Sequence, residues 1–184
     1  MKLSVKDLNS IFYSGDYNHT GDKELIVKLS FLLNNNYLLV NKIKIADKSD
    51  YLNLAANSEQ INRNFDADGG GRTHVALKLL AKKYLSTTGI ESKLEHAFCG
   101  YYPDIISNDN QIIIECGHTN NVDKIFNYFT QGKIKQLIQV PYPYEDEEFI
   151  FAYCFTPKPK LADFLLFEEQ EKRLKLKNII NNNK

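Results

Sequence analysis

From Thr73 to Ile179 the chain alternates between helical and strand-like periodicity, and that alternation restricts it to a sheet with helices packed against it. Thr73 to about Ser86 reads as a helix. Ala76, Leu79, Leu80 and Tyr84 mark its buried face, and His74, Lys78 and Lys82 lie at i, i+4, i+8 on another. Three strand-like runs follow: Glu91 to Phe98, Tyr102 to Ser107 and Gln111 to Gly117. Asn121 to Gln131 is helical and stops at Gly132, Lys135 to Val140 and Phe149 to Phe155 are two further strands, and Leu161 to Ile179 is an amphipathic helix carrying Lys172, Arg173, Lys175 and Lys177. The order α-β-β-β-α-β-β-α predicts a mixed α/β sheet.

The first third adds a short helix over Val5 to Phe12 and a better one over Asp22 to Leu33, whose apolar face is Leu25, Val27, Leu29, Leu32 and Leu33. Tyr37 to Ile45 reads as a strand, with Lys42 and Lys44 alternating with Ile43 and Ile45, and Ser49 to Asn62 is weakly helical. With 184 residues, the chain is the size of one domain. The expected division is an N-terminal helix and strand elaboration over 1–66, a core over 73–156 and a C-terminal helix over 161–180.

The charges cancel, 23 basic against 23 acidic residues, so any nucleic acid contact has to come from a local patch. No apolar run approaches the ~18 residues of a membrane span. Met1 to Tyr13 has no signal-peptide core, and the three cysteines, Cys99, Cys116 and Cys154, form no CxxC pair. These features predict a cytoplasmic protein with no membrane partner.

Asn108-Asp109-Asn110 is a turn signal between the second and third runs of the meander. A two- or four-residue loop there pairs Ile106 with Ile113, Ile105 with Ile114 and Asp104 with Glu115. Two carboxylates opposite one another on adjacent strands repel. A divalent cation between them turns that repulsion into a site.

Pro103-Asp104, ten residues, then Glu115-Cys116-Gly117, set in the helix, three-strand, helix, strand order of Thr73 to Tyr142, resembles the PD-(D/E)XK nuclease superfamily. The resemblance implies a restriction-endonuclease-like fold, a mixed sheet flanked by helices. It also implies metal-dependent hydrolysis of nucleic acid phosphodiesters, DNA ahead of RNA. Asp104 and Glu115 would hold Mg²⁺ or Mn²⁺ with help from the Cys116 backbone carbonyl. The family's lysine position is Gly117 here. Lys124, in the next helix, is the first candidate to replace it, with Lys93 and Lys78 behind. His74, at the start of the helix beside the motif strands, is a third metal ligand by similarity to the cap-snatching endonucleases of segmented RNA viruses. His118 would contact phosphate or metal. A homodimer is compatible with this reading, and so is a nuclease-fold domain without activity that binds nucleic acid or protein.

Other signals carry less. Asn64-x-Asp66-x-Asp68-Gly69 starts like an EF-hand loop, but its twelfth position is Val75. Gly69 to Thr73 is not a P-loop, since no GK[ST] follows. His96, Cys99, Cys116 and His118 could supply zinc ligands, but strand alternation turns Cys116 away from Glu115 and makes it a core residue. Arg72, Lys78, Lys82, Lys83, Lys124, Lys133 and Lys135 could track a phosphate backbone, and Tyr101, Tyr102, Tyr142 and Tyr144 could stack on bases.

Overall fold

The computed structural model describes residues 1–13, 22–61, 71–119 and 121–182, with the side chains of residues 22, 58–61 and 176–182 left aside. Along the chain the elements are α1 (Val5–Tyr13), α2 (Asp22–Asn34), β1 (Leu38–Asp47), α3 (Lys48–Ile61), α4 (Arg72–Thr87), β2 (Ser92–Leu94), β3 (Ile105–Ser107), β4 (Ile112–Cys116), α5 (Val122–Thr130), β5 (Gln136–Val140), β6 (Phe149–Pro157) and α6 (Leu161–Asn182). The EF-hand-like stretch Asn64 to Gly69 lies outside the described residues.

The strands form one mixed sheet in the order β1-β6-β5-β4-β3-β2. β4 and β5 run parallel and the other pairs are antiparallel. A parallel pair needs a crossover, and α5 supplies it. β1 is an edge strand beside β6, so the N-terminal elaboration belongs to the same sheet as the rest.

Strand alternation divides the interior into two apolar layers. Ile106, Ile113, Leu137 and Phe155 face a core built with α1, α2, α5 and α6. Ile105, Ile114, Cys116, Ile138 and Val140 face a second core built with α3 and α4. Each fully buried isoleucine contributes roughly 1.5–3 kcal/mol relative to exposure. Cys116 thus sits in the core, as strand alternation predicts.

The β3–β4 hairpin has the expected register, Ile105 opposite Ile114 and Ile106 opposite Ile113. Its turn is closed by the Asn110 amide donating to the Ser107 carbonyl at 2.8 Å, with Asn110 in the left-handed region at φ 58°. Ser107 Oγ accepts from the amides of Gln111 and Ile112 and donates to Asp109 Oδ1. That serine fixes the loop length and hence the register.

Two expectations need correction. The runs Glu91 to Phe98 and Tyr102 to Ser107 yield only the short strands β2 and β3. Glu95 takes a positive φ of 46°, which ends β2, and Cys99 and Gly100 at φ 52° and 80° make a tight turn between Phe98 and Tyr101. On α2, Val27 is 63% exposed, and Ile26 takes the buried position beside Leu25, Leu29 and Leu32.

Candidate functional site

Asp104 lies one residue before β3 and anchors that end of the hairpin twice. Its carbonyl accepts from the Glu95 amide, and its Oδ2 accepts from the Cys116 amide at 2.7 Å. The other carboxylate oxygen, Oδ1, is 3.1 Å from His74 Nε2 and 3.2 Å from Lys78 Nζ, both on α4. Burial pushes the Asp104 carboxyl up, but the His74 hydrogen bond, the charges of His74 and Lys78 and the Cys116 amide outweigh it, so its pKa lies below the ordinary value.

Glu115, which would face Asp104 if the Ile105–Ile114 pairing ran one residue further, is 3% exposed and faces the layer that contains α5. Lys124 Nζ donates to its Oε2 at 2.7 Å, and the Tyr128 hydroxyl donates to its Oε1 at 3.1 Å. Both donors come from one face of α5, four residues apart. The helix is fixed there by its N-cap, where Asn121 Oδ1 accepts from the Lys124 amide, and by buried Ile125, Phe126 and Phe129. Burial raises the Glu115 carboxyl to about 7 and the charge of Asp104 adds to the rise, against the opposing pull of Lys124 and Tyr128. The Tyr128 phenol is raised too, first by burial and then by Glu115.

The two carboxylates are therefore close enough to act on each other, yet they are held by helices on opposite faces of the sheet. Around them lie two lysines. Lys78, a candidate behind Lys124 for the missing lysine, is 2% exposed and pairs with both Asp104 and Glu95. Its burial is a tertiary effect, the i, i+4 step from His74 pointing both side chains at one carboxylate. Residue type hid Glu95 and Tyr128 from sequence reading. The Lys124-to-Tyr128 spacing was the signal that could have found the second pair.

Position 117, where the resemblance would call for a lysine, is crowded as well as bare. Gly117 has φ 68°, and a Cβ there would meet the Tyr142 ring at 2.6 Å and its hydroxyl oxygen at 2.7 Å. The Tyr142 hydroxyl lies 3.3 Å from His74 Nδ1. The Gly117 carbonyl accepts from Gln139 Nε2 at 2.6 Å, while the buried Oε1 of Gln139, on the residue paired with Glu115 across β4 and β5, has no partner. His118 is exposed, with its ring edge-on to Tyr142 at 5.5 Å, and is bonded to neither carboxylate. Lys93 lies on β2 opposite Ile106.

No protein-family model, curated protein or solved structure matches this chain. Among the described residues, no group of three or more His, Cys, Asp and Glu side chains is arranged to hold a metal ion, and no helix is long and apolar enough to cross a membrane. The donor chemistry at the two carboxylates fits a hard divalent cation, since Glu115 is buried with its charge incompletely balanced beside a second carboxylate. His74 fits less well as a ligand, because Asp104 and Tyr142 engage both of its ring nitrogens.

Proposed function

We propose that this chain is a metal-dependent nuclease of the PD-(D/E)XK type, with a restriction-endonuclease-like sheet, acting on nucleic acid phosphodiesters, DNA before RNA. The observation that carries the reading is the Lys124–Glu115 contact. A lysine absent from the motif position arrives at the motif glutamate from the next helix, in an α-β-β-β-α-β order that brings Asp104 near Glu115.

Asp104 and Glu115 would hold Mg²⁺ or Mn²⁺, with the Cys116 carbonyl as a further candidate ligand. A bound ion would supply Lewis-acid charge at the phosphate and a water of lowered pKa. The chain's own residues do the rest. The Cys116 amide and Lys78 hold Asp104 ionised and in place. Tyr128 orients Glu115 from the buried side. Lys124, 18% exposed, spends one N–H on Glu115 and has others to direct at a phosphate oxygen, where negative charge grows during cleavage.

The test is cleavage of plasmid, single-stranded DNA and RNA in Mg²⁺ and in Mn²⁺, with Asp104→Ala as control. The proposal expects cleavage that the chelator stops, that restored Mn²⁺ returns and that Asp104→Ala lacks. Wild-type protein that cuts nothing in either metal, or Asp104→Ala that cuts equally well, overturns it.

One observation favours a second reading, a nuclease-fold domain without activity that binds nucleic acid or a protein partner. Gly117 and Tyr142 together close the motif position to any side chain. Mn²⁺ binding without cleavage is the result expected on that reading.

A further inference from the structure

Four groups form one hydrogen-bonded line through the site. The Tyr142 hydroxyl meets His74 Nδ1, His74 Nε2 meets Asp104 Oδ1, and Asp104 Oδ2 meets the Cys116 amide. The direction of each bond follows from its ends. An amide only donates and an ionised carboxylate only accepts, so Asp104 takes one proton from Cys116 and one from His74 Nε2. In its neutral form, the one the experiment below reads, the imidazole has a single N–H. With that N–H on Nε2, Nδ1 is the acceptor and the Tyr142 hydroxyl is its donor.

The tyrosine is seated by position 117. Its ring and hydroxyl fill the space that a Cβ on Gly117 would enter, at 2.6 to 2.7 Å, and His118 packs edge-on against the same ring. Tyr142 is half-buried between them. Its phenol, raised by burial and by the neighbouring Tyr51, Cys116 and Asp104, keeps its proton and remains a donor.

We propose that Tyr142 is a positioning residue for His74: it occupies the place of the motif side chain, fixes the imidazole with its proton on Nε2, and thereby aims Asp104. In this arrangement His74 orients the carboxylate and does not itself bind an ion. The consequence for cleavage rests on the nuclease reading above, but the tautomer does not, and the experiment separates them.

The measurement is the ¹⁵N spectrum of the His74 ring in the full-length protein without metal, at about pH 8, above the ordinary imidazole range. Wild type is expected to show the Nε2–H tautomer. Tyr142→Phe keeps the ring in its seat and removes only the hydroxyl, and the His74 signals are expected to shift toward a mixture with the Nδ1–H form. Gly117→Ala, which pushes on the ring, should move them in the same direction. A Tyr142→Phe spectrum identical to wild type, or a wild-type Nδ1–H tautomer, overturns the proposal whether or not the protein cleaves anything. Adding Mn²⁺ supplies a second arm. Broadening of His74 ring nitrogens by direct ligation, with loss of the Asp104 bond, also overturns it. If the protein cleaves, Tyr142→Phe should lower kcat about 10- to 100-fold, the usual effect of losing an orienting partner, with KM unchanged. An altered KM at constant kcat assigns the tyrosine to substrate binding and overturns the positioning role.

Discussion

Lys124 reaches Glu115 from the first turn of α5, with Nζ 2.7 Å from Oε2, although nine residues of chain and a strand-to-helix reversal separate them. The contact only partly offsets the charge of a carboxylate that is almost wholly buried, and it leaves the lysine partly open to solvent.

On the proposed nuclease function, Lys124→Ala should slow cleavage by about a hundredfold while leaving ion binding in place, because one electrostatic contact to the developing charge is lost. Asp104→Ala, which removes charge that nothing nearby replaces, should cost on the order of a thousandfold or more. Single-turnover rates at saturating Mn²⁺ separate the two. Equal losses would place Lys124 in ion binding instead.

The pH dependence of folding should carry the signature of Glu115. Its folded pKa of about 7 lies above the ordinary 4.5. Between those values the folded chain keeps a proton that the unfolded chain has released, so stability falls as pH rises through this window, and the penalty is complete above it. Glu115→Gln has nothing to titrate there. In chelator, the variant should gain on wild type by on the order of 2–4 kcal/mol between about pH 4.5 and pH 8, read by urea denaturation. Asp104 has its pKa shifted downward, so its contribution is lost only at lower pH, as pH falls through its folded value.

Lys78 sits buried between Asp104 and Glu95. Lys78→Met leaves Asp104 without its lysine and should destabilise the fold by about 3–5 kcal/mol. Adding Asp104→Asn removes the charge left behind and should recover part of that loss. Denaturant midpoints of the single and double variants check this, and a double variant that is worse by the full sum would mean that the two residues do not communicate.

Gly117 combines a left-handed backbone with a filled neighbourhood. Gly117→Ala should cost about 1–3 kcal/mol. In a Tyr142→Ala background the clash is gone and only the backbone term of about 1 kcal/mol remains. Gly117→Lys should therefore fail to increase cleavage in the native background. Thermal melts of the four proteins and a cleavage assay on the lysine variant are the measurements.

The sequence made the hairpin register legible because side-chain period and turn chemistry agree. Ser107 and Asn110 close a loop of even length, and Ile105, Ile106, Ile113 and Ile114 then have a single assignment of faces. Helix α5 was equally readable, since Asn121 caps it and Gly132 packs where a Cβ would meet Phe98 at 2.5 Å. The flank before Asp104 was not readable, because the turn at Cys99 and Gly100 depends on backbone conformations that composition does not announce. Of the candidate site, Asp104 and Glu115 were singled out by the hairpin register, and Lys124 and His74 by the resemblance to the nuclease superfamily. Lys78 was named only behind Lys124, because its burial between two carboxylates is a tertiary effect, and Tyr142 was taken only for a stacking residue, since its seat over Gly117 exists only once β4 and β5 lie side by side.

Because α4 holds Asp104 while α5 holds Glu115, the separation of the two acids is set by the thickness of the sandwich. A truncation such as Leu77→Ala on one layer or Ile125→Ala on the other lets one helix settle toward the sheet and leaves its counterpart where it was. The pair then behaves as a caliper. Remote packing defects in either layer should alter its span before they unfold the chain, and they should do so in a layer-specific way, shifting the surroundings of Asp104 in the first case and of Glu115 in the second.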